Sequence, residues 1–177
     1  MEMSPEQRAK HISGVVPWRR YFARMLDLNI FTLVVAFIAG SVFPDVGEES
    51  FLIVWTTFGS ILAMPFVESF LMQTGGGATP GKRLLGITVS LESGEEPTYM
   101  QLVKRNFKAM ALGFGLGVPL VSLVTLVISY NKLNTDVITP WDRSGGFIVS
   151  SIDVDRSRYI IVGVLLVVIL SIRASLV

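Results

Sequence analysis

Residues 109–130, AMALGFGLGVPLVSLVTLVISY, have the length of a membrane-spanning helix and the punctuation of a turn. Gly113, Gly115, Gly117 and Pro119 fall in the middle of the run. Glycine adds backbone freedom that a helix must remove, and proline lacks the amide the helix ladder needs. The run therefore either crosses a bilayer once or enters it and turns back. That choice decides between a bundle of four spans and one of three spans with a re-entrant hairpin.

The rest of the chain sets the frame. Of 177 residues, 51% are hydrophobic and 16% charged, and the mean hydropathy is +0.59. This balance is far more apolar than that of a soluble domain, so the chain is expected in lipid. Apolar runs near the roughly 20 residues a bilayer helix requires occur at residues 25–43 and 51–72. A shorter one, residues 159–172, reaches both interfaces if Arg158 and Arg173 extend their charged heads outward. The first run is not a secretory signal, because it begins far from the N-terminus and contains Asp27 and Asn29.

The charge pattern excludes several functions. A net charge of +1 lacks the concentrated basic face that nucleic acid requires. With no cysteine there is no disulfide or thiolate metal site, and the single His11 reads as an exposed tail residue. Serines are abundant but have no base beside them, so neither an enzyme nor a cofactor is expected. Trp18, Trp55, Trp141 and Tyr159 read as interfacial anchors.

Lys and Arg accumulate in short cytoplasmic loops. Arg8, Lys10, Arg19, Arg20 and Arg24 precede the first run, whereas residues 44–50 carry three acids and no base. The N-terminus is accordingly expected in the cytoplasm, in the plasma (inner) membrane. Lys82, Arg83, Lys104, Arg105 and Lys108 return the next loop to the same side. A hairpin at residues 109–130 would keep Lys132, Arg143, Arg156 and Arg158 there as well, and this is the preferred reading. Four spans would instead put Arg143 outside and the C-terminus inside.

Residues 75–83, GGGATPGKR, come close to a phosphate-binding loop, but Arg83 stands where that loop has Ser or Thr. Such a loop joins a strand to a helix, whereas here it follows an apolar helix and precedes the strand-like LLGITVS. Nucleotide binding is excluded on that ground. The loop reads as a flexible exit from the second helix, with Lys82 and Arg83 presented to the anionic inner surface.

Arg20, Arg24 and Asp27, spaced by four and three, share one helix face. Glu68 lies about 6 Å before the end of the second run, on the same side of the membrane as Asp27. Ionisable groups at membrane depth need partners. Arg20 and Arg24 are the candidates for Asp27; Lys82 or Arg83 are those for Glu68. In the hairpin reading Asp142 and Arg143 join the same layer. Two roles are open: Glu68 with Asp27 and Asp142 binds a proton or small cation, aided by a helix opened at Pro65, or the charges only lock the helices in register. Gly113 and Gly117, four apart, fit the small-residue packing motif by which a homo-oligomer could form.

Three segments resemble motifs of the RDD family of membrane proteins. Residues 18–27, WRRYFARMLD, are similar to its opening motif. Residues 79–89, TPGKRLLGITV, resemble its T-x-G-K-R-x-x-G-x-x-V pattern, and residues 141–149, WDRSGGFIV, its third motif. Trp141 stands where the family usually has His, and Phe147 departs from its Gly-Thr. The resemblance implies a multi-pass membrane protein, with sodium–proton exchange proposed for some members and complex assembly for others. The expected fold is all-α, with three to four transmembrane or re-entrant helices and a short cytoplasmic strand pair between residues 85–90 and 147–151. The expected organisation is a tail over 1–16, an RDD-like membrane domain over 17–150 with helices at about 17–43, 51–72 and 99–130, and a linker and helix over 151–177. The functional expectation is passage of a small cation or proton-coupled solute, and the alternative is an adaptor that assembles partner membrane proteins.

Overall fold

The structure, a computed structural model, describes residues 16–42, 49–115 and 119–175. His11, Gly117 and most of the acidic loop after the first run lie outside the described residues. In chain order the elements are α1 (Pro17–Val42), α2 (Glu49–Thr74), α3 (Pro80–Leu84), β1 (Ile87–Leu91), α4 (Tyr99–Phe114), α5 (Pro119–Asp136), α6 (Pro140–Arg143), β2 (Phe147–Ser151) and α7 (Arg156–Ser175).

Three helices are long and apolar enough to cross a membrane: α1, α2 over Val54–Thr74, and α7. Outward-facing Phe37, Phe58, Leu62, Phe70, Val164 and Val167 are exposed, as lipid contact requires. The inward face of α2 follows helical spacing through Ser60, Ile61, Met64, Glu68, Ser69 and Met72, all buried. It packs on α1 and on α4. Pro65 lies inside α2, and the helix runs through it from Glu49 to Thr74. One turn further on, the Ser69 hydroxyl donates back to the Pro65 carbonyl at 2.5 Å.

The glycine-broken run is a hairpin of two helices. A Gln101 side chain accepting from the Thr98 amide at 2.8 Å opens α4. Gly115 ends it at φ 58, a left-handed cap that a Cβ would crowd against the backbone of Ser122. From Pro119, α5 packs back along α4, with Ser122 and Ser129 donating to the Phe114 and Leu112 carbonyls at 2.7 and 3.3 Å. α4 is amphipathic and buries Leu102, Arg105, Asn106, Ala109, Met110 and Gly113 on one stripe.

The strand pair forms as expected. β1 and β2 are antiparallel, with Val89 opposite Val149. Ile87, Val89, Phe147 and Val149 turn one face onto Ala23, Leu26, Met72 and Leu102, so the sheet caps the helices at one end. Arg19 fastens its edge by donating to the Leu85 carbonyl and, at 2.7 Å, to the Ile152 carbonyl. Gly86, between these contacts, takes a left-handed φ of 65 that a side chain would strain, and a Cβ there would push on the Val154 and Ile152 side chains.

A buried charge layer joining the three motifs

The loop GGGATPGKR is ordered by two devices. Gly76 and Gly77, at φ 61 and 84, end α2, and the Gly77 amide donates back to Met72 at 2.7 Å. Thr79 and Pro80 then start α3, with threonine in the N-cap position and proline at the first helical one. This turns Gly81 and Lys82 into the protein instead of toward lipid head groups. The expectation of a flexible exit presenting both cations to the bilayer is corrected for Lys82, which is buried. Arg83 stays exposed and donates to the Gly75 carbonyl at 2.7 Å. It takes no part in the layer.

Asp27 does not pair with Arg20 or Arg24. Its Oδ2 accepts from the Thr79 hydroxyl and its Oδ1 from the Gly81 amide at 2.7 Å. The carboxylate is therefore satisfied by the second motif's loop rather than by its own helix. Glu68 receives Lys82 Nζ and, at 3.5 Å, Arg24 on Oε1. Its Oε2 is buried with no partner among the described residues.

Asp142, from α6, sits between two guanidiniums: Arg105 at 2.8 Å and Arg20 at 3.2 Å. The Thr139 hydroxyl adds a hydrogen bond at 2.6 Å. Burial alone raises the Asp142 carboxyl, but the two guanidiniums and the hydrogen bonds outweigh it, and the group lies below its ordinary value. Burial pushes the Lys82 ammonium down from its ordinary value, and the facing Glu68 opposes that shift. Arg143 does not join the layer. It is exposed and faces Asp136 at 3.6 Å.

The two halves of the layer are linked through α4. Arg105 donates to the Asn106 side chain at 2.9 Å, and Asn106 donates to Ser69 at 2.9 Å, one residue from Glu68. Arg105 also lies over the Phe147 ring, 5.5 Å from its centroid. Arg105 and Asn106 were not among the expected site residues. Their signal was available, because both fall on the apolar stripe of α4 with Leu102 and Ala109, where a solvated helix would put no charge.

The remaining expected residues have packing roles. Gly113 faces the Trp141 indole: a Cβ there would stand 2.9 Å from the ring. Trp141 is thus buried in the hairpin and is not an interfacial anchor, whereas Trp18 and Trp55 are more than half exposed. Gly113 serves a contact within the chain, Gly115 caps α4 and Pro119 begins α5.

Arg20 and Asp27 from the first motif, Thr79, Gly81 and Lys82 from the second and Asp142 from the third therefore meet in one buried layer. No curated protein and no solved structure matches the chain. A model of the RDD family matches residues 15–146, the region that carries this layer. That match covers most of the chain, which belongs to the RDD family of membrane proteins.

Proposed function

We propose that this RDD protein carries a small cation or proton, coupled or not to a solute, through its membrane core, with Glu68 as the group that takes up and releases the ion. The observation that supports it is Glu68 Oε2. It is the one buried carboxylate oxygen without a partner among the described residues, at a depth where an unpaired acceptor costs about 1–3 kcal/mol. A cation or a proton would satisfy it. Above Glu68 the inner face of α2 stays partly polar through Ser60, whose buried hydroxyl also lacks a partner, about 12 Å away. Beyond it, Arg173 turns inward from α7 to Asn29 and Thr57 at 3.0 and 3.3 Å, instead of reaching out to the interface. In this reading the N-terminus faces the cytoplasm in the inner membrane, Asp27 and Asp142 hold the loops that close the inner end, and a second copy supplies the wall that three spans leave open.

The test is cation-driven proton flux in proteoliposomes. Glu68→Gln abolishes flux while the purified variant, destabilised by the loss of the Lys82 counter-ion, still folds and stays monodisperse. Retained flux in that variant sinks the carrier reading; lost stability with no flux in the parent would mark the pair as a structural lock. A membrane adaptor is the second reading, favoured by α7, which buries Val162 and Ile169, packs Leu166 and Arg173 inward, and leaves most of its other surface exposed to lipid or another chain.

A further inference from the structure

Beside the charge layer, lined by Arg20 and Arg24 but not by Glu68, a cavity of about 480 Å³ opens between the start of α1 and the α4–α5 hairpin. Its size falls in the range of sites that hold small organic molecules. Its walls are apolar, with Leu123, Leu126 and Val127 of α5 facing Phe114 and Trp141. Two of its few polar side chains are Arg20 and Arg24, one helical turn apart on α1. Each engages its carboxylate through a terminal nitrogen, and each keeps a buried Nε–H that donates to nothing among the described residues. The two side chains remain 18% and 14% exposed, and a guanidinium offers only donors, so what the cavity presents there is suited to an acceptor.

Charge points the same way. Arg20, Arg24, Lys82 and Arg105 bring four cations into the layer against the three carboxylates Asp27, Glu68 and Asp142. An anion beside Arg20 and Arg24 would balance the excess. At the mouth of the cavity Trp18 and Tyr130 stand ring to ring, 6.1 Å between centroids. That aromatic pair is the kind found at the depth of lipid head groups. Val127, Leu123 and Tyr130 are exposed there, so the cavity is reached sideways from the bilayer.

We propose that this cavity is a binding site for an anionic membrane lipid, whose acidic phosphate lies between Arg20 and Arg24 and one of whose acyl chains runs along α5. The second chain remains in the bilayer. A fixed anion here would hold the hairpin against α1 without using any carboxylate of the layer.

The protein carries its own reporters, since two of its three tryptophans, Trp18 and Trp141, line the cavity. Full-length protein with Trp55→Phe is placed in phosphatidylcholine nanodiscs containing a minor fraction of either brominated phosphatidylglycerol or brominated phosphatidylcholine, and quenching of the remaining fluorescence is read. The anionic lipid is expected to be about fivefold more effective at equal fraction, the preference one arginine confers near a membrane surface. Leu126→Trp would fill the cavity while keeping both arginines, so with Trp18 and Trp141 changed to Phe its own fluorescence should show no such preference. Arg24→Gln should weaken the preference in parallel. Equal quenching by the two lipids overturns the proposal, as does a preference that Leu126→Trp leaves intact. Loss of the preference on adding inorganic phosphate alone would assign the site to a free anion and overturn the lipid reading.

Discussion

Gly81 shows how a single missing methyl group positions a carboxylate. A Cβ at this residue would run into the Ala23 carbonyl oxygen and stand 2.9 Å from Asp27 Oδ1. The amide could then no longer reach Asp27. Gly81→Ala is expected to destabilise the protein by about 1–3 kcal/mol, read as a lower melting temperature in detergent; an unchanged value would count against the Asp27–Gly81 contact. Asp142 carries a larger share, because removing one member of a buried ion pair leaves the other uncompensated. Arg105→Gln should cost about 3–5 kcal/mol, and Arg105→Gln with Asp142→Asn less than the two singles together, measured by the same unfolding assay. The pH dependence follows from the lowered carboxyl of Asp142. Its stabilisation is complete above the unfolded value near 3.9 and is lost as pH falls through the lower folded value. Stability should therefore decline steeply below about pH 4, and Asp142→Asn should flatten that decline. Asp27 and Glu68 could be named from the sequence because each is an acid inside an apolar run, and Asp142 because the hairpin reading returns the third motif to the same layer. Their partners were less legible: Asp27 has two arginines on its own helix face, yet tertiary docking gives it a threonine and an amide from 52 and 54 residues away.

Among the elements, α6 is seated on α4 through a close contact, Gly113 against the Trp141 ring. Gly113→Ala is expected to destabilise by about 1–3 kcal/mol, and adding Trp141→Phe, which shortens the ring, should recover part of that loss. Additive costs would show that the two residues do not meet. The break itself could be read from Gly113, Gly115 and Pro119, because these residue types act locally on the backbone. The strand pair could be read for the same reason, from β-branched residues bounded by turns. α3 escaped notice although its signal is local too: Thr79 followed by Pro80 is a helix start, outweighed by the three glycines before it. Trp141 was misread because an aromatic residue near a membrane end has the same sequence signature whether it faces head groups or fills a notch left by a glycine.

For the whole molecule, three helices long and apolar enough to cross would put the sheet and the end of α7 on opposite faces of a membrane. The cysteine-free chain permits a direct check. Ser93→Cys and Ser144→Cys, both exposed, should react with an impermeant maleimide from one side, and Ser175→Cys from the other. Labelling of Ser144→Cys and Ser93→Cys from different sides would require the hairpin to be a span. The sheet also fixes an order of assembly. β1 leaves the ribosome about 60 residues before β2 is complete, an interval of roughly 3–12 s at ordinary elongation rates. Until Asp142 has been translated, Arg20 and Arg105 have no counter-ion and β1 has an open edge. A chain stalled at that stage differs from a finished one in features that a quality-control protease can read, so surveillance of an incomplete copy would fall within those seconds.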